Sequence, residues 1–350
     1  MSMLMRHFRI MVYAAAVSVA ITLSCSREAP LNECAAPEER RLDVEATVSP
    51  DTRASITGTD FPKDATMGLF ICKSGSYLPH TAGMDNMRAT RGETSWSYSL
   101  STNLSISTGV LAITTKADCN ADVYAYAPWM EGITNLEEIP YDAASQGDLM
   151  YAEENASATA NRDIDPGLDD PYTVRLRFRH ALSRIRVGVR LARTGYYDPY
   201  MSSLTLRKTS AGTEDTRLYS NAVFNAIDGT FEESSLRDTA QLVVNIPHNY
   251  SYKTNYITSS VNYLYNDLLV IPTEVSNDGD LELVLGIEDS PLADTYKIQL
   301  DDISNDGETG FKAGCTYTFE FTIDNYLRLV PDSIFISDEW PAGETIEVSI

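Results

Sequence analysis

Apolar and polar residues alternate without error over residues 42–48 (LDVEATV): Leu42, Val44, Ala46 and Val48 on one face, Asp43, Glu45 and Thr47 on the other. A period of two is that of a half-buried β-strand. Ser49-Pro50-Asp51-Thr52-Arg53-Ala54 interrupts it with turn chemistry and leaves Arg53 in a loop. Strand-like runs resume at 56–61 and, after the Pro62-Lys63-Asp64 turn, at 67–72 (MGLFIC). Residues 96–100, 110–114 and 122–127 continue the pattern between Gly, Asn and Ser turns. The stretch 173–191 holds two alternating runs, Val174/Leu176/Phe178 and Ile185/Val187/Val189/Leu191, with the phase broken at His180-Ala181-Leu182. Further strands fit 203–207, 241–246, 268–271, 281–287, 296–300 and 316–323, and Asn277-Asp278-Gly279 and Asn305-Asp306-Gly307 are hairpin signals. Heptads, long amphipathic helices and 20- to 50-residue repeats are absent from the pattern. It predicts an all-β chain of two β-sandwiches in tandem.

Residues 1–24 are of another kind. Arg6, His7 and Arg9 precede an uncharged run, 10–24 (IMVYAAAVSVAITLS), shorter than the ~20 residues a bilayer span needs. This reads as a secretory signal. Leu23-Ser24-Cys25 resembles the lipobox of a bacterial lipoprotein, with Leu at −2 rather than −3, so Cys25 is the expected lipidation site. A polar, Pro-containing tether follows to Arg41. The most loop-like stretch, 153–171, is acidic and poor in large apolar residues. The expected division is therefore a signal at 1–24, a lipidated tether with the first strand at 25–53, and sandwiches at 54–170 and 171–350.

Composition narrows function by exclusion. Fifty acidic against 27 basic side chains give a net charge of −23, which is unsuited to a nucleic-acid partner. Beyond Cys25, the thiols Cys34, Cys72, Cys119 and Cys315 form no CxxC, although one bridge among Cys72, Cys119 and Cys315 stays open. The His residues after the signal, His80, His180 and His248, belong to no HExxH, and GxSxG, Walker A and GxGxxG are missing. The acidic stretches 163–170 and Asp302/Ser304/Asp306 read as solvated turns, the latter having Ala313 where an EF-hand places its bidentate acid. No enzyme activity, cofactor or metal is expected.

The landmarks taken in order resemble those of the Bacteroidales fimbrillins, the subunits of type V pili. They are Cys25, Thr52-Arg53-Ala54 after an alternating strand, Asp60-Phe61-Pro62-Lys63 leading into Met67-Gly68-Leu69-Phe70, the 178–185 block (FRHALSRI), and Ile336-Ser337-Asp338-Glu339-Trp340 with Gly343-Glu344. The resemblance implies transthyretin-like sandwiches and export as an outer-membrane lipoprotein precursor. It further implies cleavage by a trypsin-like, Arg-specific protease, and a cell-surface fimbrium in which a neighbouring subunit fills the vacated groove.

On that reading cleavage falls between Arg53 and Ala54, and the strand carrying Leu42, Val44, Ala46 and Val48 is displaced. The residues alone also allow a permanent strand followed by a solvated Arg. The candidate donor is 345–350 (TIEVSI), with Ile346, Val348 and Ile350 on one face; pairing within its own domain is the alternative. A rival of another class is a glycan-binding surface lipoprotein that does not polymerise, supported by Tyr250, Tyr252, Tyr256, Tyr263 and Tyr265.

Overall fold

The computed structural model describes residues 38–48, 61–73, 77–79, 84–93, 95–99, 111–115, 121–153, 163–164, 173–192, 199–210, 215–246, 257–258, 262–263, 267–288, 295–300, 304–305, 308–324, 328–337 and 346–348. Among these the chain is all-β, with two short 3-10 turns at Ala143–Ser145 and Glu233–Ser235. The expected strand at 56–61 lies outside the described residues except for Phe61.

A nine-stranded sheet forms the first half. Thr66–Lys73 lies between Met87–Arg91 and Ala121–Ala127, and the sheet continues through Met150–Ala152 and Thr173–His180 to Glu38–Val48 and Leu111–Thr115. The unbroken apolar run of Thr66–Lys73 has a direct cause: both of its faces are buried. Met67, Leu69 and Ile71 enter a first core with Val123, Val174, Leu176 and Phe178. Phe70 and Cys72 turn to the opposite face with Tyr124 and Tyr126, into a second core. Phe61 closes the first core edge-on against Trp96 (5.4 Å) and Phe178 (5.0 Å).

The second core fills the space between two sheets of the other half. Ser183–Leu191 runs parallel to Thr316–Ile323, which pairs with Leu329–Ser337. Tyr200–Lys208 lies between Gln241–Asn245 and Leu281–Glu288. Their inward positions, including Ile185, Val187, Leu204, Leu206, Leu283 and Phe319, form one buried cluster.

The phase break at His180-Ala181-Leu182 is where the chain passes from one core to the other. Val174, Leu176 and Phe178 belong to the first, Ala181, Leu182 and Ile185 to the second. Backbone bonds fix this corner: Ala181 N–H to Leu149 O (2.8 Å), and Gly314 N–H to Leu182 O (2.8 Å). His180, 2% exposed, places Nδ1 2.7 Å from Asp148 Oδ1. The loop-like stretch before residue 171 connects neighbours in one sheet, because Met150–Ala152 and Thr173–His180 pair antiparallel. Its acidic composition therefore belongs to a connection within the first half. Ile139–Asp142 also crosses between halves, pairing with Tyr219–Asn225.

One sequence expectation needs correction, one open option narrows, and one strand lies outside the sequence pattern. Asn277-Asp278-Gly279 makes a tight turn, with Asp280 N–H to Asn277 O at 3.2 Å, but it is not a hairpin. The strands it joins, Thr273–Glu274 and Leu281–Glu288, belong to different sheets. Asp280 explains this: its buried carboxylate accepts from the Thr216 hydroxyl and from Asn277 N–H (3.2 Å), holding the turn against another segment. By contrast Asn305 pairs with Glu308 across two residues, as a hairpin requires. Cys72 and Cys315 are separate buried thiols, so that pairing is removed from the disulfide options, while Cys119 lies outside the described residues. Finally, Leu329–Ser337 is a strand despite Pro331, because the register slips between Glu320 and Phe321 and the extra residue forms a bulge beside the proline.

Candidate assembly site

Glu38–Val48 is longer than the alternating run and has two different partners. Positions 43–48 pair parallel with 173–178, placing Val44 opposite Val174, Ala46 opposite Leu176 and Val48 opposite Phe178. Paired residues in a ladder share a face, and Val174, Leu176 and Phe178 are each at most 2% exposed. Ala46 itself packs against the first core. The apolar face read in the sequence is thus in register with the floor of that core.

Positions 38–42 pair antiparallel with Leu111–Thr115, from Glu38 opposite Thr115 to Leu42 opposite Leu111. The strand is therefore a staggered bridge whose two halves hold different neighbours. Leu111–Thr115 ends the sheet, and Glu38–Val48 is its sole ladder among the described residues.

The polar face of the floor strand is basic. Arg175, Arg177 and Arg179 alternate with the buried apolar residues. Arg177 Nε lies 3.2 Å from Glu153 Oε1, and Arg179 pairs with the other oxygen of the same carboxylate. Glu45 holds the ladder position beside Arg175, where opposite charges favour this register.

Ile346–Val348 pairs antiparallel with 334–336 in its own subunit: Ile346 with Ile336, Glu347 with Phe335, Val348 with Ile334. It ends the six-stranded sheet. Of the sequence-predicted site residues, Val44, Ala46 and Val48 hold ladder positions opposite one floor, Leu42 stands opposite Leu111, and Ile346 and Val348 sit on another sheet. Cys25, Arg53, Ala54 and Ile350 lie outside the described residues, as do Tyr250, Tyr252, Tyr256 and Tyr265. The sequence reading missed the role of Leu111–Thr115 and of the floor strand. The alternation at Val174/Leu176/Phe178 was visible, but nothing local names a partner some 130 residues earlier in the chain (173 against 43).

A model of the fimbrillin-like family matches residues 52–340. The chain belongs to that family. The matched stretch starts just after Glu38–Val48 and stops before Ile346–Val348, so both candidate exchange strands flank it. Two solved structures share the family's fold with this chain. One, a proposed cell adhesion protein from Bacteroides ovatus, aligns with TM-score 0.55 and 12% identity over 88% of this chain and 100% of its own. The other, a proposed cell adhesion protein from Bacteroides uniformis, gives 0.52 and 14% over 86% and 99%. No curated protein sequence matches.

One open cleft of about 1050 Å³ lies in the second half, with Tyr219, Leu236 and Pro272 among charged neighbours that include Arg217, Glu274 and Lys312. Lys208 donates to Asp238 at 2.6 Å, and this cation, with the Leu218 N–H, holds that carboxyl below its ordinary range against the opposing effect of burial. Among the described residues no group of three or more His, Cys, Asp or Glu is placed to hold a metal ion.

Proposed function

We propose that this chain is a structural subunit of a surface fimbria serving cell adhesion, and that it polymerises by donor-strand exchange. One observation carries the reading: the apolar face of Glu38–Val48 is in register with the buried floor Val174/Leu176/Phe178, and the family match begins beyond that strand. Removing such a strand would expose both an apolar groove and unpaired backbone groups, an edge that a strand from another chain satisfies. The precursor is exported as an outer-membrane lipoprotein through Cys25, and a trypsin-like protease cuts between Arg53 and Ala54. Guanidinium recognition in an acidic pocket suits that site. Residues 345–350 are the donor, and other fimbrial subunits are the partners. The chain comprises two sandwich units, joined at the His180-Ala181-Leu182 corner where one core gives way to the other.

A second reading, a glycan-binding surface lipoprotein, draws on the Tyr219 cleft, since an aromatic face beside carboxylates and a guanidinium suits polyols. Arg53→Ala tests the first reading. The variant should stay a folded, uncut monomer while the parent yields Ala54 as its new N-terminus and a heat-resistant ladder on a denaturing gel. A ladder from the variant would refute the cleavage assignment. A parent with an intact Cys25 terminus and no ladder would favour the glycan binder.

A further inference from the structure

This inference rests on the strand-exchange reading and extends it to a second contact between the same two subunits. The bridge Glu38–Val48 spans eleven residues, but the alternating donor 345–350 offers six, the number of positions that pair with 173–178. If the donor keeps the parallel direction of the strand it replaces, Thr345 takes the place of Asp43. The positions opposite Leu111–Thr115 then fall to Trp340-Pro341-Ala342-Gly343-Glu344. Pro341 has no N–H to donate and Gly343 disfavours extended pairing, so this segment is a poor replacement ladder. Exchange therefore strips Leu111–Thr115 of its partner.

The donor subunit is stripped too. Once Ile346–Val348 leaves home, residues 334–336 lose their outer ladder, although Leu329–Ser337 keeps Thr316–Ile323 on its other side. Both bare edges come from one event, and both lie at the same joint. Residue 337 is at most seven residues upstream of the segment that passes Leu111–Thr115. At about 3.5 Å per residue, a tether of this length spans no more than about 25 Å.

We propose that, in the assembled fimbria, Leu111–Thr115 of each acceptor subunit pairs with the 334–336 edge of the subunit that donates to it. The occupant is thus a second copy of this chain. The pairing would satisfy two rows of backbone groups that exchange leaves open, and it would fix the rotation of one subunit against the next, which a single inserted strand does not. The exposed Val330, 40% accessible on the same edge strand, extends the surface offered.

Disulfide trapping tests this. Processed copies carrying Ile113→Cys are mixed with processed copies carrying Phe335→Cys, allowed to assemble and oxidised, and Thr173→Cys with Thr345→Cys reports donor insertion in parallel. We expect covalent dimers from both pairs in the polymer and none from either single variant or from uncleaved protein. Insertion cross-links without the Ile113–Phe335 cross-link would overturn this inference and leave the strand-exchange reading standing. Failure of the unsubstituted, processed protein to assemble would overturn both. Hydrogen exchange on the unsubstituted chain gives an independent reading. The amides of 111–115 should be protected in the precursor, lose protection on cleavage and regain it on assembly; failure to regain it in polymer overturns the contact.

Discussion

The side-chain amide of Gln146 completes the backbone of Leu269: its Oε1 accepts from Leu269 N–H at 2.7 Å, and its Nε2 donates to Leu269 O at 3.1 Å. Leu269 pairs on its other side with Arg184, so one residue from the first half serves as a one-residue strand along the edge of Leu268–Val270. The geometry requires Gln146 at φ 49°, and Nε2 also donates to Ala143 O at 2.6 Å.

Gln146→Ala should therefore destabilise the chain by about 2 kcal/mol, because Leu269 is buried and would lose partners for both backbone groups. Denaturant unfolding checks this, with a lowered midpoint at unchanged slope expected. A change under about 0.5 kcal/mol would mean that water replaces the amide at no cost.

Gly68→Ala should be more damaging. A Cβ at Gly68 would overlap the Tyr126 ring and come within 2.8 Å of Asn86 Oδ1. Tyr126 is fully buried, and its hydroxyl donates to Asn86 Oδ1 (2.8 Å), so the ring has no room to retreat. Overpacking of this kind costs ~1–3 kcal/mol or more. Thermal melting measures it, and a melting temperature equal to the parent's would contradict the overlap.

Burial pushes the Cys72 thiol up to about 11, and the charge of Asp122 adds to the effect. An unfolded chain releases that proton at the ordinary thiol value, nearer 9. Between those values the folded state holds a proton that the unfolded state has lost, so stability is complete below about pH 9 and falls as pH rises toward 11. Cys72→Ala should flatten that slope whatever its stability at neutral pH. The native thiol should resist iodoacetamide at pH 9 and react once denaturant is added; rapid native alkylation would contradict the burial.

Deleting 345–350 should leave the processed monomer folded and end chain growth, since only three described residues of that stretch pair with their own subunit. Melting of the truncated, processed monomer decides. A drop beyond about 8 °C would assign the strand to its home domain instead.

Cys25→Ala should abolish fatty-acid incorporation into the precursor and misroute it. Metabolic labelling with palmitate is the check, and undiminished label in the variant would remove the lipoprotein step.

What the sequence by itself determined was local. The alternation at 42–48 gave a strand, and at Val174/Leu176/Phe178 and 316–323 the pattern gave strands with their buried faces, because side-chain direction in a strand depends only on a period of two. The break at His180-Ala181-Leu182 marked a real corner for the same reason: two phases cannot belong to one straight strand. Tertiary structure decided everything that joins distant segments. It chose a parallel partner for 43–48 and a different, antiparallel one for 38–42, and it put Asn277-Asp278-Gly279 between sheets rather than within a hairpin. It also folded Leu329–Ser337 as a strand by bulging at Pro331. Backbone hydrogen bonds are the same for every residue pair, so composition cannot name a ladder partner. Only the burial of one particular face against one particular core selects it.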